Sequence, residues 1–362
     1  MLSLTRKKKG GSVVGLDIEA GSIAAAEVKV NGVAQLNAAA VHPLEGGAFH
    51  EGEVVDSDRL VDGLKSLYGA HKLSKQVRLG VGNQRVLVRT FRLPAIEDPK
   101  EMDAAVRFQA QEQIPMPMDQ AILEHQVVGG APPVDGQPPQ VDVVVAAARR
   151  DMVASLIEPV RRAGLEPVGV DLAAFGMIRA LAPRGGAVPT PDGGPAEGTD
   201  AILYCNLGDA MNLAVARGRV CLFTRVSAVG LEQIAGRLSG QLGLTHEHAT
   251  QWLTHVGLEQ PVEQIEGDQA TIAEARRAIE EGLTSIVDDL RLSLDYYGAQ
   301  EGAEPATRVV VSGAGSAIPG LVQRMQETLG LPVTASIPSA LSEYGSETAP
   351  RLTLPYGLAL ED

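Results

Sequence analysis

Val13-Val14-Gly15-Leu16-Asp17-Ile18, followed by the small residues Ala20-Gly21-Ser22, is an apolar run that carries one acid and then breaks into a turn. Such a run reads as a buried strand. The next segment alternates through Ala26, Val28 and Val30, turns at Asn31-Gly32 and returns through Val33 to Ala40. Asn-Gly between alternating apolar residues signals a hairpin. The same unit recurs as Ala201-Ile202-Leu203-Tyr204-Cys205-Asn206-Leu207-Gly208-Asp209-Ala210, a strand from Asn212 to Ala216, a turn at Arg217-Gly218-Arg219 and a strand from Val220 to Val226. Asp17 and Asn206 lie 189 residues apart, too far for a solenoid repeat and right for a duplicated domain. Residues 183–199 separate the halves; four prolines and five glycines with almost nothing apolar make them a linker or long loop.

Working outward, Val77-Arg78-Leu79-Gly80-Val81 and Val141 to Ala146 read as buried strands, the latter leading into a helix from about Arg149 to Ala163 that stops at Gly164. Val168-Gly169-Val170 returns as a strand, which suggests a crossover unit. Residues 85–140 differ: two alternating strands, a polar helix from Pro99 to Gln113 stopped by Ile114-Pro115-Met116-Pro117, a strand from Ala121 to Val128 and a proline-rich loop suggest a small inserted subdomain. Ile272, Ile279, Leu283, Ile286, Leu290 and Tyr297 form an apolar stripe along one helix of about thirty residues, expected to pack on its own domain.

Composition sets limits. The 362 residues suffice for two or three domains at ~150 each. Thirty-one basic against forty-five acidic residues give −14, which argues against a nucleic-acid binder relying on phosphate neutralisation. Cys205 and Cys221 cannot make a disulfide framework and are expected to be buried apolar groups of a reducing compartment. Val143 to Ala148, the longest clean apolar run, is far below the ~20 residues of a bilayer span. Arg6-Lys7-Lys8-Lys9 has no apolar stretch behind it, so a cytoplasmic protein with a solvated basic tail is expected and membrane contact only indirectly. His246 and His248 lack companion ligands, so no metal site is expected there.

Val309-Val310-Val311-Ser312-Gly313-Ala314-Gly315-Ser316 is a strand running into a Gly-x-Gly turn and a helix from Pro319 to Leu329. Such a turn offers N–H groups to phosphate, although it can equally be a tight turn with no ligand. The third glycine of a dinucleotide fingerprint is missing, and no acidic strand end lies at the required distance, so a nicotinamide cofactor is not expected. Turns 17–22, 206–210 and 313–316 could instead converge on one nucleotide between the two halves.

That arrangement resembles the α/β superfold of actin-like ATPases, duplicated ribonuclease H-like domains. Gly15-Leu16-Asp17-Ile18, Gly52-Glu53-Val54-Val55-Asp56, Gln111-Glu112-Gln113-Ile114-Pro115-Met116-Pro117, Ala163-Gly164-Leu165-Glu166-Pro167, Leu292-Ser293-Leu294-Asp295-Tyr296-Tyr297 and Ser312-Gly313-Ala314-Gly315 occur in one order. Together they resemble the PilM family of actin-like type IV pilus assembly proteins, related to FtsA, from about residue 12 to 360. The resemblance implies a tail at 1–11, a first core from 12–84 and 149–182, and an inserted FtsA-type subdomain at 85–148. It further implies a second core from 200–230 and 300–362 with a small helical part at 231–299. It implies a scaffold at the inner face of the cytoplasmic membrane that binds the N-terminal tail of PilN and communicates with motor ATPases; a homo-oligomer is compatible with it.

Residue by residue, the implied nucleotide site comprises Asp17, Ala20, Gly21, Ser22, Asn206, Gly208, Gly230, Asp289, Gly313, Ala314, Gly315 and Ser316, with Mg near Asp17 and Asn206. It is degraded. Where the family has Asp-Ile-Gly-Ser-Ser-Ser-Ile-Lys, this chain has Asp17-Ile18-Glu19-Ala20-Gly21-Ser22-Ile23-Ala24. A carboxylate ~4 Å from phosphate costs about 4 kcal/mol at an effective dielectric near 20, unless Glu19 turns to solvent. Asn206 replaces an aspartate and cannot supply the charge that holds Mg. Gly230-Leu231 replaces a Gly-Gly pair, and Asp289 and Arg291 stand where the family has groups near the purine or ribose. Hydrolysis is not expected, and ATP with Mg is left as weakly bound or lost. Arg78, Ile114, Pro115 and Met116 border the expected partner groove. A kinase of the superfold lacks an intact phosphate clamp here. An FtsA-like division protein would need a terminal amphipathic helix, and the ending Leu354 to Asp362 is short and acidic.

Overall fold

The computed structural model describes residues 11–130, 138–183, 200–300 and 302–360. The expected basic tail and the 183–199 linker beyond Pro183 lie outside them, as does most of the proline-rich loop. The chain runs β1 (Ser12–Ile18), β2 (Ser22–Asn31), β3 (Val33–Pro43), β4 (Phe49–His50), β5 (Glu53–Val54), α1 (Ser57–Ala70) and β6 (Gln76–Val81). Then come β7 (Leu87–Pro94), α2 (Pro99–Gln113), β8 (Ala121–Gly130), β9 (Gln140–Arg149), α3 (Arg150–Arg162), β10 (Glu166–Leu172) and α4 (Ala173–Leu181). The second half has β11 (Ala201–Leu207), β12 (Met211–Arg217), β13 (Val220–Ser227), α5 (Leu231–Leu242), α6 (His246–Val256), α7 (Gln269–Gly298), β14 (Ala306–Ser312), α8 (Leu321–Leu329), β15 (Val333–Ala335) and α9 (Gly345–Ala359).

The two large sheets have one topology. In the first, the antiparallel meander β3-β2-β1 continues into parallel β6 and β10; in the second, β13-β12-β11 continues into parallel β14 and β15. Apolar runs put β1 and β11 at the centre of each sheet, where Val14, Leu16, Leu203 and Cys205 are buried. The duplication read from two strand–turn–strand units is therefore a duplication of whole sheets. Between β6 and α3, β7-β9-β8 and α2 form a separate three-stranded unit around Phe91, Val106 and Val145. The stripe on α7 is buried as expected, from Ile272 to Tyr297. No helix among the described residues is long and apolar enough to cross a membrane.

One assignment is corrected. Residues 345–359 were expected in the second core, yet α9 packs against β1, β2 and α4 of the first. Glycines make the room: a Cβ on Gly15 would lie 1.9 Å from the Pro355 carbonyl oxygen, and one on Gly357 would lie 1.8 Å from that of Gly176. The open carbonyls at the end of α9 are met by buried arginines. Arg78 donates to the Leu358 and Leu360 carbonyls at 2.9 and 3.0 Å. Arg179, ion-paired with buried Asp171, donates to the Gly357 carbonyl at 3.1 Å. A continuous layer of α4 and α9 thus joins the two sheets.

Candidate functional site

A cavity of about 1260 Å³ opens between the lobes. One wall is the β1–β2 turn with the chain from Pro43 to His50; the opposite wall is Asp209, the start of α5 and helix α6. The Ala314–Ala317 turn and Arg351 of α9 close its floor. Of the expected nucleotide residues, Ala20, Gly21, Ser22 and Ala314 line this cavity, and Asp17 with Ala20 lines a narrow crevice beside it. Both β-turns do face one another.

Their contact is direct. The Asp209 N–H donates to Glu19 Oε1 at 3.1 Å, and the Gly21 N–H donates to Asp209 Oδ2 at 3.3 Å. Each turn thereby offers a backbone donor to the carboxylate of the other lobe. Glu19 does not turn to solvent: its Oε1 lies over Gly208, where a Cβ would come within 1.9 Å of it and push it aside. A second bridge crosses the opening, His50 Nδ1 to Glu232 Oε1 at 2.8 Å. Burial and the nearby Asp209 charge push the Asp17 carboxyl up to about 7. Burial, Asp209 and Asp17 hold Glu19 well above the usual carboxylate range, with Arg351 offsetting part of this. The Glu232 carboxylate raises His50. Glu45, Asp209, Glu232, Glu247 and Glu347 line the large cavity against Arg351 alone among lysines and arginines of the described residues.

Other expected site residues are placed elsewhere. Asn206 is buried in its own sheet, accepting from the Ser312 hydroxyl at 3.2 Å. No cluster of three or more His, Cys, Asp or Glu side chains suited to a metal ion occurs among the described residues. Asp289 lines neither cavity. Its carboxylate accepts from Arg225 at 3.0 Å inside the second lobe, because α7 turns that face onto β13; Arg291 reaches the Thr328 carbonyl instead of the cleft. Gly230 and Gly313 serve close approach: a Cβ would lie 2.2 Å from the Asp209 carbonyl oxygen and 2.7 Å from that of Leu207, respectively, and Gly313 has φ +83°. Gly315 packs under Leu207, and the Ser316 hydroxyl donates to the Gly313 carbonyl within its own turn.

The groove residues divide. Arg78 is engaged with α9 and Ile114 belongs to the core of the inserted unit, so neither can wall an open groove. Pro115 is exposed and Met116 half-buried, with Phe108 of α2 exposed as a further apolar group in the same unit. Sequence reading missed Asp209, His50 and Glu232. Asp209 was visible only as the residue after Gly208, and His50 and Glu232 meet through a lobe contact that no local pattern encodes.

A family model described as type IV pilus assembly protein PilM matches residues 15–361. Among solved structures, a PilM–PilN type IV pilus biogenesis complex is similar at 26% identity, with 96% of this chain and 97% of that chain covered and a TM-score of 0.76. The ethanolamine utilization protein EutJ from Carboxydothermus hydrogenoformans shares the fold at 13% identity, 99% and 92% coverage and a TM-score of 0.51.

Proposed function

The chain belongs to the type IV pilus assembly protein PilM family, and from that premise we propose that it is an actin-like scaffold that binds the N-terminal tail of a PilN partner and does not turn over ATP. The whole-length likeness to a PilM–PilN complex supports the partner. Within this chain the reading is carried by the reciprocal contact of Glu19 and Asp209. Turn N–H groups that could receive phosphate already have carboxylate acceptors. A triphosphate would have to displace both and then sit against them, and the side chains present do not fit it. ATP with Mg is accordingly weakly held or lost. The scaffold stands at the inner face of the cytoplasmic membrane, couples that platform to motor ATPases, and takes the PilN tail beside the inserted unit, where Pro115 is exposed and Met116 half-buried.

Two titrations test this together. A labelled PilN N-terminal peptide is expected to bind saturably in fluorescence anisotropy without nucleotide, while calorimetry with Mg-ATP shows no tight binding. Absence of peptide binding refutes the partner, and low-micromolar Mg-ATP affinity refutes the degraded site.

A further inference from the structure

Charge is unevenly spread along the chain. Residues 1–183 hold 20 basic against 22 acidic residues, whereas residues 184–362 hold 11 against 23. Of eight lysines, seven precede residue 76. The fold gathers several of them at the end of the first sheet away from the cleft. Ser12, where β1 begins, is the ladder partner of Lys29, and its carbonyl accepts from the Ser74 hydroxyl at 3.2 Å. The Lys75 carbonyl accepts from the Glu166 N–H at the start of β10, 2.8 Å away.

Lys29, Lys72 and Lys75 are exposed, as is Arg161 at the end of α3. Ion pairs among the described residues are made by arginine and histidine, and none by lysine. Two carboxylates, Glu27 and Glu166, lie at this end. Glu27 is buried and takes the Ser74 N–H at 2.8 Å and the Asn37 amide at 3.2 Å, while Glu166 is exposed. Just past the Asn31-Gly32 tip, Val33 is 75% exposed.

We propose that this end of the first lobe docks directly on an anionic phospholipid bilayer, with Lys29, Lys72 and Lys75 at the headgroups and Val33 at the interface. Clustered lysines beside an apolar tip fit a charged surface with an apolar layer beneath it. The contact with the acidic second lobe is at the other end of β1, roughly 20 Å away and beyond the ~8 Å screening length. The acidic lobe contact therefore does not cancel the charge of the basic end. The inference stands on charge and topology and does not depend on the pilus reading.

Flotation of the full chain with vesicles tests it. Phosphatidylglycerol-containing vesicles are expected to retain the protein at low salt, and pure phosphatidylcholine vesicles or high salt are expected to release it. The triple variant Lys29→Gln, Lys72→Gln, Lys75→Gln should lower partitioning about a hundredfold, near fivefold per lysine, with an unchanged circular dichroism spectrum. No binding at low salt, or full binding by the triple variant, overturns the proposal. Complete transfer from the vesicles to duplex DNA at equal charge also overturns it, reassigning the surface to nucleic acid.

Discussion

Replacing Glu19 by glycine removes half of the contact that closes the cleft, and its effect on nucleotide can be worked from the geometry. In the wild type an incoming triphosphate must take the Asp209 N–H away from Glu19 Oε1, a hydrogen bond of 3.1 Å. Hydrogen bonds to charged groups contribute about 1.5–3 kcal/mol. The phosphate must then sit near the displaced Glu19, at a cost of up to about 4 kcal/mol when it is ionised, a cost reduced by the burial and neighbouring carboxylates that favour its neutral form. Asp209 remains in the variant, and so does its hold on the Gly21 N–H, so only part of the sum is recovered. Glu19→Gly should therefore bind Mg-ATP about 2–3 kcal/mol more tightly, ~30- to 150-fold. Glu19→Gln, which keeps an oxygen acceptor and loses the charge, should fall between. Calorimetric titration of the three proteins reads this directly. Equal affinity for wild type and Glu19→Gly would show that the carboxylate does not guard the turn.

Three further outcomes are expected. Asp17 titrates near 7 in the folded protein against 3.8 when free; the folded state thus binds the extra proton, and stability falls as pH rises from about 4 through 7. Asp17→Asn should then raise the melting temperature at pH 8 by several degrees and leave it little changed at pH 4, as thermal denaturation followed by circular dichroism would show. Arg78→Ala should cost about 3 kcal/mol in denaturant unfolding because the Leu358 and Leu360 carbonyls lose their donor; an unchanged midpoint would contradict the role assigned to that arginine. Met116→Glu should weaken the PilN peptide at least tenfold in anisotropy while the fold persists, and unaltered binding would move the groove elsewhere.

What could be read from the chain alone follows from where the determinants lie. Strand positions were legible because Val13–Ile18 and Ala201–Leu207 are apolar runs buried on both faces, and such burial writes itself into composition. The long helix was legible because its one buried face repeats at helical spacing. Arg78, by contrast, sits in a strand run and points at carbonyls 280 and 282 residues away, which no window of sequence contains. Asp289 was placed at the cleft through a family position, whereas its carboxylate is taken by Arg225 across the α7–β13 contact. Helix α9 was given to the wrong lobe because chain order suggested it; the glycines at 15, 176 and 357 that admit it are silent until two backbones are brought together.

Glu19 shows how a substitution can be misjudged when only its charge is weighed. Taken singly, a carboxylate in a phosphate turn is a defect, and turning to solvent would relieve it. The opposite turn, however, presents an N–H at Asp209 that needs an acceptor once it is covered, and Glu19 reaches it. Asp209 does the same for Gly21. The two contacts are mutually supporting: removing either carboxylate leaves one covered N–H without its partner, and a side chain at Gly208 would have to move the Glu19 carboxylate. Burial first, and then the gathering of three carboxylates at that joint, raises Asp17 and Glu19 above the usual carboxylate range. In this structure the two turns meet through these side chains, and that contact is what the Glu19→Gly titration probes.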